Sequence, residues 1–248
     1  MLAQPQSSTK SSRFIQDNVL EYCFHRSMPK VSNPPYTPAL GSHKRTGDYD
    51  RIIAVMTRER RWRTRMLNEL SLDRDNTIVD IGSGTGSFAK LMVQACPGIR
   101  VVALDPDPEV RRIAENKTIG LGIEYVTAMG SDPIESAPNS TVDTVTCSLV
   151  LHQCSMSAKI GILENAQRLL KTGGSLLISD YGEQRTMLMS LLFNQVRQID
   201  GYENTQANKD GMIPILMKQA GFHGVAELAI TPTPTGSISL YRGHKPAG

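Results

Sequence analysis

The chain has no run approaching the roughly 18 consecutive apolar residues of a membrane-spanning helix, so stable membrane insertion is not expected of it. Cysteine is scarce. Cys23, Cys96, Cys147 and Cys154 form no Cys-x-x-Cys pair, which argues against a metal site or a disulfide framework and for a reducing compartment. Charge of one sign is also in short supply: 27 Lys and Arg stand against 24 Asp and Glu, a net +3. The excess is local, because residues 1–70 hold 12 basic and 6 acidic side chains. Such a segment draws an anionic substrate or membrane surface, or is simply a solvated helix face. The first residues lack the apolar core of a secretory signal. Residues 1–16 are Ser-rich, with Lys10 and Arg13 and no acid, as in a transit peptide, but Pro5 and scattered polar residues spoil an amphipathic helix. Cytoplasm is the expected location. No internal repeat is visible.

What is present is enough for one α/β core, since 248 residues at 40% hydrophobic content can bury one. Its most informative stretch is residues 77–86, an apolar strand carrying Asp80 that breaks into Gly82, Ser83, Gly84, Thr85 and Gly86. The glycines allow a strand-to-helix turn in which a ligand touches bare backbone, and helical spacing follows over residues 87–96. A dinucleotide site wants glycine at the sixth motif position and a pyrophosphate over the helix N-terminus; here that position is Ser87. Asp80 would repel a pyrophosphate and attract an ammonium group. S-adenosylmethionine offers an α-ammonium and a carboxylate where NAD has phosphates. A second acid, Asp105, ends the apolar run 101–104, 19 residues after Gly86. That spacing suits a carboxylate accepting the ribose hydroxyls at the tip of the next parallel strand.

With these residues the chain resembles the class I S-adenosylmethionine-dependent methyltransferases, over about residues 49–245. Beyond the segment from Asp80 to Gly86 and Asp105, the likeness takes in residues 142–152, similar to the family's fourth strand. It also takes in residues 168–180, similar to a helix, glycine turn and fifth strand, and Gln219, Ala220, Gly221 and Phe222 before the last hairpin. Tyr49 and Asp50, followed by Arg61, Trp62 and Arg63, resemble the branch of quinone and natural-product enzymes. The resemblance implies a Rossmann-like, doubly wound, mostly parallel seven-stranded sheet with a C-terminal antiparallel hairpin and an N-terminal helical lid. It implies S-adenosyl-L-methionine as cofactor, S-adenosyl-L-homocysteine as product and a small-molecule acceptor. Oligomeric state is not implied.

Periodicity gives the same organisation. Residues 1–46, with Pro29, Pro34, Pro35 and Pro38, read as an irregular leader or lid holding one helix around residues 14–24, and residues 47–248 as the methyltransferase domain. Ile52, Met56, Trp62, Met66 and Leu70 recur at near-helical spacing in an element open to a kink, with Arg58, Arg61 and Arg65 on another face. Strands are expected at 77–81, 100–105, 123–127, 142–148 and 175–180, alternating with helices near 87–96, 108–117 and 157–170. Residues 225–230 and 237–242 form a hairpin across a long turn at 231–236.

Ligands of such sheets lie beyond the carboxyl ends of the strands. The cofactor residues expected from the motif and the resemblance are Tyr49, Asp80, Gly82, Ser83, Gly84, Gly86, Asp105, Pro106, Met129, Gly130, Ser148 and Leu149. Family members often carry an acid near Met129; here Asp132 stands close enough to substitute, or to cap the next turn. His152 is the best candidate for a general base, or else a histidine that bonds backbone at the strand end. Tyr181 stands at the next strand tip. The helical run 187–199, with Met189 and Phe193, reads as an acceptor cover or as ordinary core. Tyr202 and Asn204 beyond it supply polar contacts to an acceptor, or belong only to a loop and a helix cap.

Methyl transfer from a sulfonium needs alignment and exclusion of water more than proton removal, because positioning contributes roughly 7–11 kcal/mol and a base roughly 3–5 kcal/mol. Asn33, Pro34, Pro35 and Tyr36 spell the motif of amino-methylating nucleic-acid enzymes, but too early in the chain, so no nucleic-acid partner is expected. Asp80 also disfavours a non-catalytic nucleoside-binding protein of the same fold and an NAD-linked reductase.

Overall fold

The computed structural model describes residues 54–247. The leader 1–46, its helix, Tyr49 and the segment from Asn33 to Tyr36 lie outside the described residues. Seven strands form one sheet in the order β3-β2-β1-β4-β5-β7-β6. The strands are β1 (Thr77–Ile81), β2 (Arg100–Asp105), β3 (Glu124–Thr127), β4 (Val142–Ser148), β5 (Leu170–Tyr181), β6 (His223–Thr233) and β7 (Gly236–His244). β1 to β5 pair in parallel, whereas β7 runs antiparallel to both β5 and β6. The helices are α1 (Glu59–Asn68), α2 (Ser87–Ala95), α3 (Pro108–Lys117), α4 (Met156–Leu169), α5 (Met187–Asp200), α6 (Tyr202–Lys209) and α7 (Ile213–Gln219).

Alternation along the strands sends side chains to two cores. Val79, Ile81, Val102 and Leu104 join Ile162 and Leu163 of α4 and Leu216 and Met217 of α7. Ile78, Val101 and Ala103 join Trp62 and Met66 of α1, Phe88 and Met92 of α2, and Phe193 and Val196 of α5. The kink in the first helical element falls at the turn through Thr57 and Arg58, between helical residues 54–56 and α1. Arg58 and Arg65 are exposed but reach across to the edge strand: Arg58 Nη1 donates to the Pro232 carbonyl at 2.9 Å, and Arg65 Nη1 to the Ile230 carbonyl at 2.9 Å and Thr231 Oγ1 at 2.8 Å. These bonds clip α1 to the edge strand.

Three expectations need correction. β5 begins at Leu170, not 175, because the Gly173–Gly174 pair makes an irregularity inside the strand instead of a turn before it. Gly173 has φ +76°, and a Cβ on Gly174 would lie 2.9 Å from the Lys171 carbonyl and 3.0 Å from that of Asp143. The hairpin is also longer and tighter, with only Pro234 and Thr235 between β6 and β7. Pro232 is tolerated within β6 because that strand is the sheet's edge. Residues after Gly201 continue as helices α6 and α7, which the polar composition of the first obscured.

Candidate active site

β1 lies between β2 and β4, so the chain crosses to opposite sides of the sheet at its carboxyl end, where a crevice forms. Asp80 sits there, one residue before the end of β1 and 1% exposed. Thr146 occupies the paired position on β4, and its Oγ1 donates to Asp80 Oδ1 at 2.7 Å. Oδ2 of Asp80 has no hydrogen-bond partner among the described residues. Burial pushes this carboxyl up to about 6, against the opposing pull of the Thr146 hydroxyl and the Arg63 guanidinium. A buried acceptor oxygen left open in this way is a site for a donor, and a cationic donor would restore full ionisation.

The glycine turn divides its labour. Gly82, Gly84 and Gly86 all have positive φ, at +68°, +54° and +71°. A Cβ on Gly82 would lie 2.2 Å from Val150 Cγ2, and one on Gly86 2.2 Å from the Tyr125 hydroxyl. Those two glycines let the protein pack on itself. A Cβ on Gly84 would meet nothing within 4 Å, so Gly84 is the glycine that leaves backbone open to a ligand. Asp105 braces the turn: its Oδ2 accepts the Gly84 N–H at 3.0 Å and its Oδ1 the Asp107 N–H at 3.0 Å. Burial raises its carboxyl above the ordinary value, partly offset by those two backbone donors. Pro106 follows it, and Asp107 caps α3 through the N–H groups of Glu109 and Val110.

After β3, Asp132 Oδ2 accepts the Met129 N–H at 3.0 Å, which makes it a turn-closing residue. Asn165 of α4 donates to the carbonyls of Gly130 and Asp132 at 2.7 and 2.9 Å and holds the loop. A Cβ on Gly130 would fall 2.5 Å from Ile81 Cγ2. Thus the loop after β3, the glycine turn with Ser83, and the loop after β4 meet around the end of β1.

The loop after β4 is strained and then secured. Ser148 ends the strand, and Leu149 has φ +54°, which costs a non-glycine residue about 1–3 kcal/mol. Asp180, fully buried at the tip of β5, accepts the N–H groups of Val150 at 3.0 Å and Leu151 at 2.7 Å through Oδ2. Its Oδ1 accepts the Tyr181 N–H at 2.7 Å and faces His152 Nδ1 at 2.8 Å. The other ring nitrogen of His152 lies 3.4 Å from Asp200 Oδ2 at the end of α5. Burial alone would lower the imidazole's affinity for a proton, but Asp180 first and Asp200 second outweigh it, raising the pKa to about 9. The residue expected as a base thus has a carboxylate facing each ring nitrogen.

Tyr181 stacks edge-on against His152, with centroids 4.9 Å apart, and packs on Phe193 at 4.8 Å. Its hydroxyl is engaged with Thr235 Oγ1 at 2.8 Å. Of the expected acceptor residues, Phe193 is buried in the core and Met189 half-buried on α5. Tyr202 is exposed beneath the Arg197 guanidinium, 4.6 Å from its ring centre. Asn204 Nδ2 donates to the Asp200 carbonyl at 3.1 Å. Sequence alone assigns no role to Thr146 and Asp180, and reads Asp200 only as a polar contact to the acceptor or part of a loop; an acid at a strand tip, the pattern already used for Asp105, is the available signal for Asp180. Among the described residues, no group of three or more His, Cys, Asp or Glu is placed to hold a metal, Cys96, Cys147 and Cys154 are free thiols, and no helix is long and apolar enough to cross a membrane.

Residues 79–178 match the model of a methyltransferase domain. The segment from β1 into β5 is thus similar to a methyltransferase domain. The chain is 29% identical over 125 residues to thiol S-methyltransferase TMT1B of Rattus norvegicus, a stretch covering 48% of each protein. The match to demethylmenaquinone methyltransferase of Tropheryma whipplei is 26% over 140 residues, 55% of this chain and 56% of that one. The chain thus spans about half the length of these relatives. A methyltransferase solved with the Haloferax volcanii Trm112 activator shares the fold, with a TM-score of 0.61 at 18% identity over 81% of this chain and 95% of that one.

Proposed function

We propose that this methyltransferase domain moves a methyl group from S-adenosylmethionine to a small, largely apolar acceptor, in the cytoplasm. The observation that carries the reading is Asp80, a buried carboxylate with one oxygen unpartnered beside the open face of Gly84. In this reading Asp80 holds the α-ammonium, and the backbone of Gly82, Ser83, Gly84 and Gly86 lies along the amino-acid end. Asp105 with Pro106 takes the ribose, Met129 and Gly130 the adenine, and Ser148 and Leu149 the sulfur side; Tyr49 belongs to the same set by resemblance. When bound, the sulfonium supplies an already activated methyl group.

The residues of the chain then have a positioning task. Holding an acceptor about 3 to 3.5 Å from the methyl accounts for roughly 7–11 kcal/mol of barrier lowering. Met189, Phe193, Tyr202 and Asn204, with Tyr181, are proposed to shape the acceptor side from β5, α5 and α6. The Tyr181 hydroxyl and both His152 nitrogens are already engaged, so alignment carries more of the rate than proton removal. Titration calorimetry with S-adenosylmethionine, S-adenosylhomocysteine and NAD tests the reading. Binding of the first two without NAD is expected, and binding of NAD alone would overturn it. Isotopically labelled methyl donor in metabolite extracts, read by mass spectrometry, would then identify the acceptor.

A further inference from the structure

The acids and cations around His152 form one connected cluster that spans four elements. Asp180 and Tyr181 come from β5, Asp200 from the end of α5, Lys159 from α4 and Asn208 from α6. Asn208 Nδ2 donates to the Tyr181 carbonyl at 2.8 Å and reaches Asp180 Oδ1 at 3.4 Å. Lys159 is 1% exposed, and its Nζ donates to the carbonyl of Cys154, in the loop after β4, at 2.6 Å and to that of Asn204, in α6, at 2.7 Å. The thiol of Cys154 donates to the Val150 carbonyl at 3.3 Å. The remaining titratable neighbour, Cys147 on β4, is a buried thiol whose ionisation both burial and the charge of Asp180 disfavour.

We propose that His152 is a positioning residue, a buried imidazolium clamped between Asp180 and Asp200 that, with Lys159, fastens the α5–α6 junction onto the loop after β4. The chemistry of the ring supports this. An imidazolium offers two N–H donors, one for each carboxylate, whereas either neutral tautomer would turn a lone pair toward an anion. Two carboxylates and two cations also balance in a largely buried space, with only Asp200 reaching its edge, where an unpaired charge is expensive. A general base needs a free lone pair, and this ring has none to offer while Asp180 and Asp200 are in place. The clamp joins what the sequence separates: Asp180 organises the strained backbone at Leu149 and Val150, and Asp200 closes α5 next to Gly201. Its consequence for catalysis rests on the reading of α5 and α6 as the acceptor side.

The clamp has a pH range. The pKa of Lys159 is lowered to about 8 by burial and that of His152 raised to about 9, so both cations discharge on the alkaline side. Asp180 then keeps its backbone N–H donors and Asn208, but Asp200 loses the charge facing it across the ring, and the α5–α6 junction loosens.

The test uses the full chain without any ligand. Nitrogen-15 NMR of labelled histidine, with the His152 signal assigned through His152→Gln, reads the protonation state directly; hydrogen exchange at pH 7.5 reads the fastening of α6. The native ring is expected to carry protons on both nitrogens at pH 7.5. Asp200→Asn should lower its titration midpoint by about one unit or more and speed exchange in α6 by about tenfold or more, with β4 unchanged. A native midpoint at or below about 6.5, the free-histidine value, overturns the proposal, as does an Asp200→Asn chain whose α6 exchanges as slowly as the native one. Neither measurement involves the methyl donor, so failure of the cofactor reading, seen as absent S-adenosylhomocysteine binding, is a separate result.

Discussion

The two flanks of the crevice are built by different means. On the β2 side, Gly82, Gly84, Gly86, Asp105 and Asp107 work through backbone: positive φ angles, N–H groups received by carboxylates, and a bare Cα where a ligand is expected. Nearly every contact there links residues of one short stretch or of adjacent strand tips. On the β5 side the work is done by side-chain charge across long separations, with Asp180 binding residues 28 to 30 positions away and Lys159 reaching 45 positions to Asn204. One flank is a local motif, proposed above to hold the cofactor. The other is a long-range polar cluster that places separate helices against it.

If that contrast is right, the β5 flank should be the more brittle to single charge changes. Asp180→Asn leaves one amide oxygen where two carboxylate oxygens serve the His152 ring and the Val150 and Leu151 N–H groups, turns an N–H donor toward the other set, and should cost about 3–5 kcal/mol in urea unfolding. Among the glycines, Gly82→Ala drives a Cβ into Val150 at a left-handed position, and should destabilise by about 2–4 kcal/mol. Gly84→Ala has open space and should lose only about 1–2 kcal/mol to backbone strain, while S-adenosylhomocysteine affinity falls in calorimetry. Equal stability losses for the two variants would erase the distinction between packing and ligand-facing glycines.

Alkaline pH should weaken the β5 flank alone. His152 has a folded pKa raised from 6.5 to about 9, so its contribution is fully present below 6.5 and is lost as pH rises through about 9, up to roughly 3 kcal/mol. Thermal unfolding between pH 7 and 9.5 should show the fall in the native chain and a much flatter profile in Asp200→Asn. On the other flank, Asp105→Ala should raise the S-adenosylhomocysteine dissociation constant about 10- to 100-fold, the worth of hydrogen bonds to a charged group.

The same contrast explains which parts of the molecule are legible in sequence. β1, β2, β4, α2 and α3 are legible to within a residue or so, because short apolar runs that give way to Gly82 or end in Asp105, and Asp107 followed by Pro108 at a helix start, are local signals. Asp80 and Asp105 are legible for the same reason. Thr146 is not, since its bond to Asp80 depends on β4 lying in register beside β1. His152 stands out in sequence, but only with the chemistry of an isolated imidazole, because nothing near it in sequence announces that Asp180 and Asp200 converge on its two nitrogens. α6 reads as a loop because its buried face is polar, with Thr205 and Asn208 bonded inward to backbone.

The most direct test of the account is the pH dependence of S-adenosylhomocysteine binding through Asp80. Its carboxyl is raised to about 6 in the free protein, so it is protonated below that pH and ionised above it, and a bound ammonium favours the ionised form. Calorimetry between pH 5 and 7 should show affinity tightening by about tenfold as pH rises through 6, with weaker and nearly pH-independent binding in Asp80→Asn. A native affinity that stays flat across that range, or that Asp80→Asn leaves unchanged, would contradict the claim that this buried carboxylate grips the amino-acid end of the cofactor.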